Sequence, residues 1–187
     1  QGLVRCTRRV AAIPRRMALD PGLIIMDEPT TGLDVLVQER ILRELKTIRE
    51  KSKAAIFLIT HDISVIAEMS DRIGIMYAGR IMEQADALEL FNEPFHPYTL
   101  GLKNAFPSIR ALDRELISIP GSPPNLTEDM PGCVFADRCP FVIDACEKQR
   151  PPDLEVRPKH FVHCIRTDHV EEFRKLAGDK KTWQSSK

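Results

Sequence analysis

No apolar run in the 187 residues approaches the ~20 needed to cross a bilayer, so the sequence holds no membrane-spanning helix. Net charge is missing as well, because 27 basic residues balance 27 acidic ones. A nucleic-acid binder normally shows a basic footprint, and this balance argues against nucleic acid as a partner. None of the nine glycines stands in a G-x-x-x-x-G-K-[ST] phosphate loop. The chain therefore carries no backbone cradle for a triphosphate, no phosphate lysine and no magnesium-binding hydroxyl of that type. Gln1-Gly2 shows neither an initiator methionine nor a signal-peptide layout. It reads as a cut end, with part of a parent protein expected to be missing.

What is present suffices for a packed core. The hydrophobic fraction is 43%, and the length suits one domain, or a domain fragment plus a small module. Residues 3–19 are expected to be mostly helical, with a kink or break at Pro14. Cys6 reads there as a small apolar residue.

The stretch that organises the chain is LIIMDEPTTGLD, Leu23 to Asp34. Leu23 to Met26 read as a short buried strand between the Asp20-Pro21-Gly22 turn and Pro29. Asp27 and Glu28 then leave its C-terminal end, the edge at which open parallel sheets bind ligands. Asp34 can cap a helix running to about Lys51, with Val37, Ile41, Leu42, Leu45 and Ile48 on its inner face. Ala54 to Thr60 form a second continuous apolar run suited to a central parallel strand. That strand ends at His61-Asp62, and parallel pairing would bring His61 to the same edge as Asp27 and Glu28.

A helix over Ile63–Met69 follows. Arg72–Ala78 and Ile81–Gln84 read as a hairpin turning at Gly79-Arg80, and a further helix is expected around Ala85–Phe91. The segment NEPFHPYTLGL, residues 92–102, places His96 and Pro97 at a helix entry. Residues 107–132, rich in proline, serine and glycine, read as an irregular connector. The tail is expected to hold one helix through Leu176 and then fray. Trp183, within it, carries no functional reading.

Four cysteines, Cys133, Cys139, Cys146 and Cys164, are spaced C-x5-C-x6-C-x17-C. Disulfides need an oxidising compartment, and nothing indicates export, so a metal site is the better reading. Four thiolates can close a structural zinc site or hold an iron–sulfur cluster. Zinc modules usually use two C-x2-4-C knuckles, and neither spacing here is that tight. Wider gaps suit a larger cluster, with zinc as the alternative. His160 and His163 stand close enough to Cys164 in sequence to substitute as ligands.

The Leu23–Asp34 run resembles the Walker B strand and D-loop of an ABC-transporter ATPase. The His-Pro-Tyr-Thr stretch resembles the opening of the C-terminal extension in oligopeptide and dipeptide importer ATPases, and the likeness covers about Met17 to Arg166. The resemblance implies that Asp27 engages Mg2+, that Glu28 is the general base polarising water, and that His61 is the switch histidine touching the γ-phosphate of ATP. Asp34 becomes the D-loop residue that reports across a dimer interface. The four cysteines become ligands of a [4Fe–4S] cluster. At the signature position the chain reads approximately Gly2-Leu3-Val4-Arg5-Cys6, which departs from the family pattern.

The expected architecture is α/β: a partial P-loop NTPase parallel sheet with flanking helices, then a small irregular cysteine-rich metal-binding extension. Residues 1–91 form the ATPase part, residues 92–187 the extension, and the cysteines cluster within 131–166. The resemblance implies an ATP-hydrolysing subunit of an ABC importer of oligopeptides or dipeptides, peripheral at the cytoplasmic face of the membrane. Its partners would be permease subunits, a second ATPase subunit (identical or related) and, indirectly, an extracytoplasmic peptide-binding protein. Without a phosphate loop the polypeptide alone is expected to be inactive. A competing expectation is a catalytically dead fragment that acts only as a metal-binding interaction or regulatory module.

Overall fold

A computed structural model describes residues 21–51, 54–105 and 117–184. The expected helix over residues 3–19, Cys6 and the Gly2–Cys6 signature position lie outside the described residues. The chain divides into two compact units, one ending at Ser70 and one beginning at Asp71.

In the first unit, β1 (Leu23–Asp27) and β2 (Ala55–Ile59) pair in parallel, from Leu23 opposite Ala55 to Asp27 opposite Ile59. The crossover between them is α1 (Val35–Lys51), and α2 (Ile63–Met69) follows β2. Strand alternation sends Ile24, Met26, Ile56 and Leu58 to one face, where they pack with Ile41, Leu42, Leu45 and Val65. Ile41, Leu42 and Leu45, with Val37 and Ile48 packed beside them, form the buried stripe that helical spacing predicted. The opposite face leaves Leu23, Ile25, Phe57 and Ile59 exposed. Each helix is capped by a carboxylate. The Val37 amide donates to Asp34 Oδ1 at 2.9 Å, and the Ser64 amide donates to Asp62 Oδ1 at 2.9 Å.

The second unit is built on an antiparallel sheet of order β3-β4-β6-β5, comprising β3 (Arg72–Tyr77), β4 (Arg80–Asp86), β5 (Leu154–Arg157) and β6 (His160–Val162). The predicted hairpin is present, but it turns at Ala78-Gly79. Both residues have positive φ, 47° and 76°, as a two-residue turn matched to strand twist requires. The strand then continues to Asp86, so α3 begins at Ala87 (Ala87–Asn92). Pro97 opens α4 (Pro97–Ala105), as the His-Pro pair predicted.

The extension is not irregular throughout. Cys146 lies on α5 (Asp144–Lys148), and the segment after it contributes β5 and β6, which close onto the hairpin through β4. The hairpin thus shares a sheet with the cysteine-bearing segment. The connector is irregular over its described part, residues 117–132. Arg138 fastens it, donating from Nε to the Pro120 carbonyl at 2.7 Å and from Nη2 to the Ile119 carbonyl at 3.0 Å.

The tail does not end its order at Leu176. After α6 (Val170–Leu176) comes α7 (Lys180–Gln184), whose Trp183 is 1% exposed and donates from Nε1 to the Ala177 carbonyl at 3.0 Å. Gly101 on α4 leaves the space for that indole, because a Cβ there would lie 2.6 Å from the Trp183 ring. The core of this unit joins Trp183, Phe173, Phe141, Phe135, Tyr77 and Leu100.

Candidate functional site

Parallel pairing of β1 and β2 brings the ends of both strands to one rim. The Glu28 amide donates to the Ile59 carbonyl at 2.9 Å, which extends the ladder one residue past Asp27. Glu28 itself turns out of the strand in a left-handed conformation, φ 47°. Its carboxylate meets His61: Nδ1 lies 2.6 Å from Glu28 Oε1. Glu28 Oε2 accepts from the Thr31 hydroxyl. The bonds from Thr31 and then His61 hold the Glu28 carboxyl below its usual range, while the Glu28 carboxylate raises the His61 imidazole. Each partner thus favours the charged form of the other.

Asp27 sits at the same rim, on the exposed sheet face shared with Leu23 and Ile25, and its side chain has no hydrogen-bond partner among the described residues. Its strand alternation sets it apart from the Glu28–His61 pair. Asp34 is engaged as the cap of α1. Asp62 accepts from Gln38 Nε2 at 3.0 Å, tying the two helices together. Of the residues singled out in the sequence, the fold brings Glu28 and His61 into contact, uses Asp34 as a helix cap and leaves the Asp27 side chain exposed at the strand end. Thr31 escaped the sequence reading, although its place three residues after Glu28, across the Pro29 turn, is a usable signal.

In the second unit, Cys133, Cys139, Cys146 and Cys164 all line one small cavity, together with His96 and Phe135. The loop before Cys133 folds back so that the Cys133 amide donates to the Cys146 carbonyl at 2.7 Å. Gly132 makes this approach possible, since a Cβ there would lie 2.3 Å from the Cys146 carbonyl oxygen. Backbone amides converge on the sulfurs. The Phe135 and Ala136 amides reach Cys133, the Phe141 amide reaches Cys139, and the Arg166 amide donates to Cys164 Sγ at 3.4 Å. Burial pushes the Cys139 thiol far up and the Cys164 thiol up to about 12, against these amides. A cation among the sulfurs would reverse that balance by favouring thiolates. No three His, Cys, Asp or Glu among the described residues are grouped closely enough to hold a single ion. The four sulfurs line a common space, with amides aimed at three of them. His160 is not among the cavity's lining residues and is engaged elsewhere.

The His-Pro-Tyr stretch is held by a carboxylate in β4. Glu83 is fully buried and accepts from the amides of Phe95 at 2.7 Å and His96 at 3.0 Å, and its Oε1 lies 2.8 Å from His160 Nε2. His96 is buried and neutral. It accepts from the Tyr98 amide at 3.0 Å through Nδ1, bonds the His163 carbonyl, and is pushed down to about 4 by burial. Glu83 was invisible to sequence reading because its partners lie 12 to 77 positions away.

The comparisons agree with both units. Residues 82–146 match the family described as "Oligopeptide/dipeptide transporter, C-terminal region". The chain is 44% identical over 164 residues to a probable peptide ABC transporter ATP-binding protein, y4tR, of Sinorhizobium fredii (strain NBRC 101917 / NGR234), covering 87% of this chain and 49% of that protein. It is 46% identical over 164 residues to the oligopeptide transport ATP-binding protein OppD of Mycobacterium tuberculosis (strain ATCC 25618 / H37Rv), covering 87% of this chain and 27% of the other. The dipeptide transport ATP-binding protein DppD of Bacillus subtilis (strain 168) is 38% identical over 174 residues, covering 93% of this chain and 52% of its own length. The chain thus spans about half the length, or less, of the curated relatives it matches. Residues 82–146 therefore carry the oligopeptide/dipeptide transporter C-terminal region, and over most of its length the chain is similar to peptide ABC transporter ATP-binding proteins.

Proposed function

We propose that this chain is the portion of a peptide-importer ATP-binding subunit that contains the hydrolytic carboxylate and its switch histidine. The observation that carries the reading is the 2.6 Å contact between His61 Nδ1 and Glu28 Oε1 at the shared rim of two parallel strands. Phosphoryl transfer to water needs charge neutralisation on the phosphates, an oriented water and a proton acceptor. Glu28, kept ionised by Thr31 and His61, is the acceptor. His61 engages Glu28 through Nδ1, which leaves Nε2 for the γ-phosphate. Asp27, exposed and without a partner among the described residues, is the carboxylate that would hold Mg2+. When bound, that ion neutralises charge on the phosphates. Asp34 caps α1 at the D-loop and would report nucleotide state to a second ATPase subunit.

In this reading residues 1–91 belong to the ATPase part and residues 92–187 to the extension. The whole subunit works at the cytoplasmic face of the membrane with permease subunits, fed by an extracytoplasmic peptide-binding protein. The relatives' printed names, peptide, oligopeptide and dipeptide transport ATP-binding proteins, support that assignment. The polypeptide alone does not turn over ATP, because no phosphate loop is present in its sequence.

Cys133, Cys139, Cys146 and Cys164 would hold a [4Fe–4S] cluster, with Zn2+ as the alternative. The shared cavity and the amides directed at the sulfurs support a cluster. When bound, such a group crosslinks the loop, α5 and the end of β6. The same cavity favours a second reading, in which the extension serves as a metal-dependent interaction or regulatory module.

Peptide uptake by cells carrying a subunit of the relatives' length tests the transport reading. Glu28→Gln should abolish uptake while leaving the protein folded. Uptake at the unsubstituted rate would overturn it. Anaerobic purification tests the cluster: four iron and four sulfide per chain are expected for a [4Fe–4S] group, and stoichiometric zinc without sulfide would refute it.

A further inference from the structure

The second unit holds another cavity, larger than the one between the sulfurs and separate from the rim that carries Glu28 and His61. Its volume is about 270 Å³, and Arg80, Arg150, His163, Met82, Val134 and Cys133 are among the residues that line it. This lies just under the range typical of small-molecule pockets, which begins at about 300 Å³.

Its chemistry is one-sided. Arg80 stands at the start of β4, immediately after the Ala78-Gly79 turn, and Arg150 follows α5. Neither has a carboxylate partner among the described residues, and no Asp or Glu lines the cavity. Other described arginines of this unit show a different habit. Arg157 pairs with Glu89 and Glu93, Arg174 pairs with Glu171, and Arg138 and Arg166 are spent on backbone carbonyls. His163 adds a third nitrogen-bearing wall, with its Nε2 set against Asp153 outside the cavity at 3.2 Å. Met82, Val134 and Pro151 supply apolar surface between these groups.

Two guanidinium groups around one concavity match an oxyanion, because their planar donors pair in bidentate fashion with carboxylate or phosphate. We infer that this cavity is a binding site for a small oxyanion, either a carboxylate carrying a short apolar body or a free phosphate, held by Arg80 and Arg150 against the Met82–Val134 wall. The site shares Cys133 with the sulfur-lined cavity, so its occupant sits against one wall of that cavity. This inference stands apart from the transport reading and does not depend on it.

Calorimetric titration of the intact chain with inorganic phosphate, acetate, the dipeptide Ala-Leu and its C-terminal amide tests the site. Saturable binding of phosphate or of a free carboxylate is expected, with no binding of the amide. Phosphate alone, carboxylate alone, or both would identify the source of the oxyanion. Arg80→Met and Arg150→Met should each weaken binding by about tenfold or more. Arg43→Met, a substitution on exposed α1, should leave it unchanged. Amide NMR shifts on titration should centre on Gly132, Val134 and His163, a readout that a loss of fold in one variant cannot imitate. No saturable binding of any probe at millimolar concentration, equal binding of the peptide amide, or equal losses in all three variants would overturn the proposal.

Discussion

Glu83 and His160, 77 positions apart in sequence, meet inside the antiparallel sheet at 2.8 Å, and both are fully buried. Glu83 comes from β4 and His160 from β6, so their contact joins the hairpin to the segment between the third and fourth cysteines. Burial alone would lower the His160 imidazole, but the bonds from Glu83 and Glu89 outweigh it and raise it above its ordinary value.

Breaking that pair should be expensive. Glu83→Ala leaves the buried His160 and the amides of Phe95 and His96 without their acceptor, for a loss of about 3–5 kcal/mol. Chemical denaturation of the two forms measures it. The pH dependence follows from the raised imidazole. Its stabilisation is complete below the unfolded value near 6.5 and is lost as pH rises through the higher folded value. Stability of the unsubstituted protein should therefore decline as pH rises above about 6.5, and His160→Gln should flatten that decline.

The Glu28–His61 pair offers a spectroscopic test. In an NMR titration His61 should lose its proton above the usual value of 6.5, because Glu28 stabilises the imidazolium. Glu28→Gln should bring it back toward 6.5. Thr31→Val removes the foremost cause of the lowered Glu28 carboxyl and should let that carboxyl rise toward its ordinary value. A His61 that titrates identically with and without Glu28 would contradict the contact.

Much of the first unit was legible because its signals are local. Two unbroken apolar runs gave β1 and β2, Asp34 supplied the cap of α1, and Val37 to Ile48 showed the period of its buried face. Parallel pairing followed from the helix lying between the strands. The second unit hid its logic in distant partners. β5 and β6 are four and three residues long, carry Glu155 and Arg157, and turn at Pro158-Lys159, where Lys159 rather than glycine takes φ 63°. β6 pairs with β4, some 80 residues upstream, and β5 joins the sheet through β6. Trp183, in a tail expected to fray, is buried in a slot that Gly101, some 80 residues upstream, leaves open.

Two glycines should be intolerant of a methyl group. Gly132→Ala places a Cβ 2.3 Å from the Cys146 carbonyl oxygen, which is rigid backbone, so the loop must move away from α5. Loss of metal content with modest loss of fold is expected, read by metal analysis and circular dichroism. Gly101→Ala meets the Trp183 ring instead and should destabilise the unit by about 1–3 kcal/mol through overpacking. Trp183→Ala should cost about 3–5 kcal/mol by leaving the cavity empty.

The cysteine cavity should couple metal to stability. If the four sulfurs hold a metal as proposed, its removal would release the crosslink between the Cys133 loop, α5 and Cys164. Chelation or oxidation of the metal-loaded protein should lower its melting temperature, and Cys146→Ala should show the low value from the outset. Equal melting temperatures for loaded and stripped protein would argue that the cavity holds no structural metal.

The role proposed for Glu28, proton acceptor in ATP hydrolysis, is measured most directly in a purified transporter assembled from subunits of the relatives' length. ATP should still bind to the Glu28→Gln form with nearly unchanged affinity while phosphate release falls by at least about a hundredfold, the range expected for a general base. Phosphate release at the unsubstituted rate by Glu28→Gln would contradict the account.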